Sequence, residues 1–182
     1  GPVLAPFYIR ATGVSLYLNP LLQPSGDPYL EWDMLFPSNK CWRSDEPPNL
    51  SWSNGRREPA TFPRVTHIRL ISEMFPWELN ISARNPNIGV TCGEIIEGID
   101  REMHNFVGEA EYDAFPDDQK DVINDAYSRN RSREDGVPDG LSAPGIRWLD
   151  WLRDRTMFGG LRENKPLVAR VCGDVLPCTF EL

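Results

Sequence analysis

The stretch THIRLISEMFPWELNISARNPNIGVTCGEIIEGIDREMHNF, residues 66–106, changes its hydrophobic period partway along, and that change decides the fold class. In THIRLI (66–71), Ile68 and Leu70 alternate with His67, Arg69 and Ile71. In WELNISA (77–83), Trp77, Leu79 and Ile81 alternate with Glu78, Asn80 and Ser82. A period of two marks strands with one buried face. They flank the Glu73–Pro76 connection, so an antiparallel hairpin or meander is the simplest pairing. Asn85-Pro86-Asn87-Ile88-Gly89 turns the chain, and the period then lengthens. Ile95, Ile96, Ile99, Met103 and Phe106 recur at helical spacing, predicting an amphipathic helix over 91–106 that Gly108 ends. Its start is a capping box: the Thr91 hydroxyl can accept from the Glu94 amide while the Glu94 carboxylate reaches back.

Outward from this core the same reasoning places the remaining elements. A short helix or turn carries Tyr112 and Phe115. A further helix opens at Pro116-Asp117-Asp118, presents Val122, Ile123, Ala126 and Tyr127 on one face, and fades in RNRSRED. Gly136, Pro138 and Gly140 mark a flexible loop, and PLVARVCG (166–173) reads as a last strand. On the other side, YLEWDMLF (29–36) sets Leu30, Trp32, Met34 and Phe36 against Tyr29, Glu31, Asp33 and Leu35, which predicts a half-buried strand. Residues 37–63 form a long proline-bearing surface excursion, ordered locally by Trp42 and Trp52. Strands, then helices, then a closing strand predict an α+β fold: an antiparallel sheet of about four strands with two to three helices packed on one face. Residues 1–18 read as an N-terminal extension, its Gly1-Pro2 resembling a protease-cleavage scar, and 19–182 as a single domain.

With 182 residues, 40% of them hydrophobic, and six tryptophans, the chain can bury a sizeable core. A net charge of −8 disfavours nucleic acid and anionic membrane as partners. The basic clusters are small: Arg56–Arg57, and Arg129, Arg131 and Arg133 diluted by Glu134 and Asp135. No apolar run approaches the roughly 18 residues of a membrane span. Cys41, Cys92, Cys172 and Cys178 include no CxxC, and His67 and His104 stand far apart in sequence, so neither a metal site nor a cofactor is expected. Cys172 and Cys178 flank Gly173 and Pro177 and could close a small loop in an oxidising compartment; the thiols otherwise suggest the cytoplasm. Sequons at Asn49, Asn80 and Asn130 matter only in a secreted protein. Glu109, Glu111, Asp113, Asp117, Asp118, Asp121 and Asp125 lack a calcium-loop pattern and read as solvated helix starts.

A set of short motifs in order adds a resemblance. They are Asn19-Pro20-Leu21-Leu22, Trp32-Asp33-Met34, Pro59-Ala60-Thr61-Phe62-Pro63, Pro76-Trp77-Glu78-Leu79, Val90-Thr91, Ala126-Tyr127 with Arg129, Arg147-Trp148-Leu149-Asp150-Trp151-Leu152 and Phe158-Gly159-Gly160-Leu161. Across roughly residues 19 to 172 the chain resembles a fungal, mostly basidiomycete, family known as domain of unknown function 6699. In that family a smaller residue often stands at Trp151, and the 37–58 excursion is variable. The resemblance implies the fold and no activity, so no catalytic residue is carried over.

Two stretches are candidate sites. In RWLDWLRDRTMFGGL (147–161), Trp148, Leu149, Trp151 and Leu152 form an apolar stripe. Arg147 and Asp150 are expected to pair with each other rather than with a ligand. Gly159-Gly160 is read as a tight turn that lets Phe158 and Leu161 plug the core. In the excursion, Trp42, Arg43 and Trp52 have the composition of an interaction hot spot. The expected function is a non-enzymatic domain that binds a protein or peptide through residues 37–58 and the adjoining sheet edge. The alternative is a hydrolase-like enzyme using Asp33 or Asp150 with His67 in a pocket near Trp148. A structural oligomer subunit is a third reading, and the sequence leaves the oligomeric state open.

Overall fold

In chain order the elements are β1 (Val3–Leu4), α1 (Pro6–Thr12), β2 (Tyr17–Leu18), β3 (Leu30–Glu31), β4 (Trp42–Arg43), β5 (Thr61–Phe62), β6 (Arg64–Val65), β7 (His67–Ile71) and β8 (Leu79–Ser82). There follow α2 (Cys92–Met103), α3 (Glu109–Asp113), α4 (Asp117–Ser132), α5 (Lys165–Cys172) and β9 (Thr179–Glu181). Short 3₁₀ turns lie at Pro20–Leu22, Ser38–Lys40 and Trp148–Leu152. This computed structural model describes residues 1–132 and 145–182, so the loop expected at Gly136, Pro138 and Gly140 lies outside the described residues.

The hairpin forms as its periodicity predicts. β7 and β8 pair antiparallel, with Ile68 opposite Ile81 and Leu70 opposite Leu79, all buried. The capping box is also present: Thr91 Oγ1 accepts from the Glu94 amide (3.2 Å) and Glu94 Oε2 accepts from the Thr91 amide (2.8 Å). Ile95, Ile96, Ile99 and Met103 of α2 are fully buried, and Gly98 admits the helix so close to β8 that a Cβ there would lie 2.7 Å from Ile81 Cγ1. The helix stops at Met103, earlier than expected, and leaves Phe106 exposed; Gly108 instead precedes α3.

The protein is a mixed α/β fold with several small, mostly antiparallel sheets, and three details differ from expectation. First, the largest sheet among the described residues has three strands, not four, in the order β8-β7-β9, and β9 joins in parallel. The expected strand at 29–36 contributes only β3, paired with β4. Its alternation breaks because the Asp33 carboxylate accepts from the Leu35 amide (3.1 Å) and the Trp32 indole donates to the Phe36 carbonyl (2.9 Å), which turns the chain and buries Met34 and Leu35 consecutively.

Second, PLVARVCG is the helix α5 and not the last strand. Asn164 Oδ1 accepts from the Leu167 amide (3.1 Å), and Pro166 stands in the first turn, where its missing N–H leaves no helical bond unmade. Gly173 then ends the helix at φ 76°. Leu167 and Val168 pack on Ile71. Adjacent strand residues point to opposite faces, and Leu70 joins the α2 side, so helices cover both faces of β7 rather than one.

Third, residues 1–18 are woven into the fold. β1 pairs with β6 in parallel and β2 with β5 antiparallel, while Ile9 and Leu18 enter the core.

Candidate functional site

The 147–161 stretch is organised around a buried carboxylate. Asp150 has 0% of its surface exposed and sits in the Trp148–Leu152 turn. It accepts from the Arg147 amide (2.8 Å) and from Asn130 Nδ2 of α4 (2.7 Å), and the Arg131 guanidinium lies 3.6 Å away. Burial raises the carboxyl above its ordinary range, against the pull of these donors and of the Arg147 charge. The Arg147–Asp150 contact includes the Arg147 backbone amide and the pull of its charge, and the buried Arg147 guanidinium lies 4.7 Å over the Phe106 ring.

The tryptophans here pack against other rings. Trp148 stacks on Trp77 at 4.7 Å and 3° between planes, and Trp151 meets Trp77 and Phe115 edge-on. Trp77, expected within a strand, precedes β8 instead, and its indole donates to Glu111 of α3. The Phe158 amide donates to the Trp32 carbonyl (2.8 Å), and the Leu161 amide to that of Leu22 (2.6 Å). Gly160, at φ 94°, permits this close approach: a Cβ would lie 2.6 Å from the Pro24 nitrogen.

The residues of the enzymatic alternative are not gathered. His67 is exposed at the end of β7, with Nδ1 2.8 Å from Thr66 Oγ1, and lines a small cleft with Arg69 and Asn80 that neither Asp33 nor Asp150 reaches. Among the described residues no His, Cys, Asp and Glu cluster could hold a metal ion, and no helix is long and apolar enough to cross a membrane. All four cysteines are thiols, so Cys172 and Cys178 are not bridged. Burial pushes Cys41, Cys92 and Cys178 up to about 12, too high for reactive thiolates. Asn49 and Asn80 are exposed, whereas Asn130 is buried on Asp150.

The excursion folds back on itself. Trp52 is buried and donates to the Asn54 carbonyl (2.7 Å), with the Arg56 guanidinium 5.2 Å over its ring. It therefore presents no face to a partner. Trp42 is half-buried in β4, and Arg43 forks onto both Asp45 oxygens at 2.7 and 3.0 Å.

An exposed aromatic pair that sequence reasoning missed lies nearby. The register of β2 and β5 sets Tyr17 opposite Phe62, 66% and 73% exposed. They border a cleft of about 700 Å³ whose walls include Pro2, Pro20, Pro59 and Pro63. Asn19 shapes its floor: Oδ1 accepts from the Leu21 amide (3.0 Å), and Nδ2 donates to the Pro59 carbonyl (3.1 Å). At the edge, Arg64 donates to the Gly1, Asn87 and Ile88 carbonyls, and no carboxylate among the described residues forms an ion pair with it. The signal available in sequence was an alternating Thr61-Phe62 between two prolines, read as loop because its partner strand lies more than forty residues upstream.

No curated protein and no solved structure matches this chain. The model of a family of unknown function (DUF6699) matches residues 30–168, a span that holds the hairpin, the capped helix, the stacked tryptophans and the buried Asp150. That is well over half of its 182 residues, and the chain belongs to the DUF6699 family.

Proposed function

We propose that this protein is a non-enzymatic domain that binds an extended, proline-bearing segment of another protein, and that the Tyr17–Phe62 cleft is its contact surface. The observation that carries the reading is the aromatic pair itself: two large rings held side by side by strand register and left in solvent beside an apolar cleft. Its proline walls offer no N–H donors, so an added β-strand would find few backbone partners there. A polyproline-type segment keeps its own backbone solvated and needs only apolar and aromatic surface. Arg64 at the edge suits a carboxylate on the same segment. Trp42 and Arg43, still partly exposed, form a secondary part of the surface.

The test is selection from a display library of random peptides on the wild-type protein, followed by titration against Tyr17→Ser and Phe62→Ser. Both side chains are mostly exposed, so both variants should fold normally. Enrichment of proline-bearing peptides whose affinity falls at least tenfold in either variant supports the reading. No enrichment, or peptides that bind the variants equally, overturns it.

A further inference from the structure

We infer that a second cleft, lined by Met34, Met74 and Met157 with Arg155 at its rim, docks an acidic-apolar segment of a partner protein. The cleft is about 350 Å³ and is independent of the Tyr17–Phe62 surface. It gathers three of the chain's four methionines; the fourth, Met103, is fully buried in α2. Met157 is 53% exposed. Unbranched, polarisable thioethers repack around different apolar groups, and they recur on surfaces that accept varied peptides.

Charge identifies what accompanies the apolar group. Both acidic side chains of the cleft are already engaged: Glu73 with Arg170 at 2.6 Å, and Glu181 with Arg162 at 2.6 Å and Asn164 at 2.8 Å. Arg155 is exposed, and no carboxylate among the described residues forms an ion pair with it. Its backbone is anchored, since its amide donates to the Leu152 carbonyl (2.8 Å). An apolar floor with one cation lacking a counter-charge is complementary to an apolar side chain beside an Asp or Glu. Gly159 lines the cleft; a Cβ there would meet nothing within 4 Å, and its backbone is not left-handed.

That open face supplies the decisive variant. Gly159→Leu adds a bulky side chain at the cleft wall from a Cβ position with no neighbour within 4 Å, so its melting temperature should match the wild type. Random displayed peptides are selected on the wild type, counter-selected against Gly159→Leu, and titrated into protein carrying ¹³C-methyl methionine. The expected peptides carry Asp or Glu beside apolar residues and shift the Met34, Met74 and Met157 methyls while leaving Met103 unmoved. They should bind Arg155→Glu at least tenfold more weakly and recover when their acid is exchanged for Lys. No peptide surviving counter-selection overturns the inference, as does binding indifferent to Arg155→Glu. A wild-type dimer that Gly159→Leu converts to monomer also overturns it, because the occupant is then a second copy of the chain. Phe62→Ser leaves this site intact, so failure here and failure at the Tyr17–Phe62 cleft are separately visible.

Discussion

Residues 41–56 and 147–152 both crowd tryptophan, arginine and carboxylate together, yet they handle their charges in opposite ways. In the first, Arg43 pairs with a half-exposed Asp45 and Arg56 bridges to Glu97 at 2.7 Å with both side chains partly exposed, so water reaches the ions while Trp52 is buried. In the second, the carboxylate itself is inside, and two of its partners, Asn130 and Arg131, come from α4. A surface pair decorates a loop already held by its tryptophan. A buried carboxylate must be answered by donors from another element, and so it ties α4 to the turn that carries Trp148 and Trp151.

The largest expected effect breaks that tie. Asp150→Ala removes the buried carboxylate that Asn130, the half-buried Arg131 and the buried Arg147 face, and should cost about 3–5 kcal/mol, measured by denaturant unfolding. Asp150→Asn keeps the shape and part of the hydrogen bonding and should lose clearly less. An alanine cost below about 1 kcal/mol would erase the distinction between the two regions. Next comes Trp52→Phe, which removes the bond to the Asn54 carbonyl and part of the buried ring. A loss of about 1–2 kcal/mol is expected. A neutral result would mean the excursion is held by its surface charges after all.

The same contrast explains what could be read in advance. The α2 helix was legible because its cap and its stripe are written within a few residues of one another. The aromatic stack was half legible: Trp148 and Trp151 announced a core, but nothing local shows that their partner is Trp77. α5 was misread because a short apolar run fits strand and helix alike; the deciding signals, Asn164, Pro166 and Gly173, were present at its ends. The Tyr17–Phe62 cleft was not legible, since strands of two residues show no period and their register is set by distant pairing.

Smaller effects sharpen the comparison at the excursion itself. Arg43→Ala removes a fork onto a half-exposed Asp45, worth less than about 1 kcal/mol and shrinking further in high salt. The excursion's other anchor is titratable. Asp100 of α2 accepts from the Ser38 amide at 2.8 Å and faces His104 Nδ1 at 3.2 Å. Burial opposes both charges. The hydrogen bonds from His104 and Ser38 nonetheless hold Asp100 below 3.8, and those to Asp100 hold His104 above 6.5. The histidine's contribution is complete below pH 6.5 and fades as pH rises through its folded value. The aspartate's is complete above 3.8 and fades as pH falls through its own, so the anchor is strongest between these two values. Stability of the wild type, followed by urea unfolding from pH 6 to pH 8, should therefore decline by up to about 1 kcal/mol relative to His104→Asn, in which this dependence is gone. Parallel pH profiles in the two proteins would reduce the anchor to a surface pair like Arg43–Asp45. A difference in slope would show that the excursion is fastened at its start by a partly buried charge, as the 147–152 turn is by Asp150.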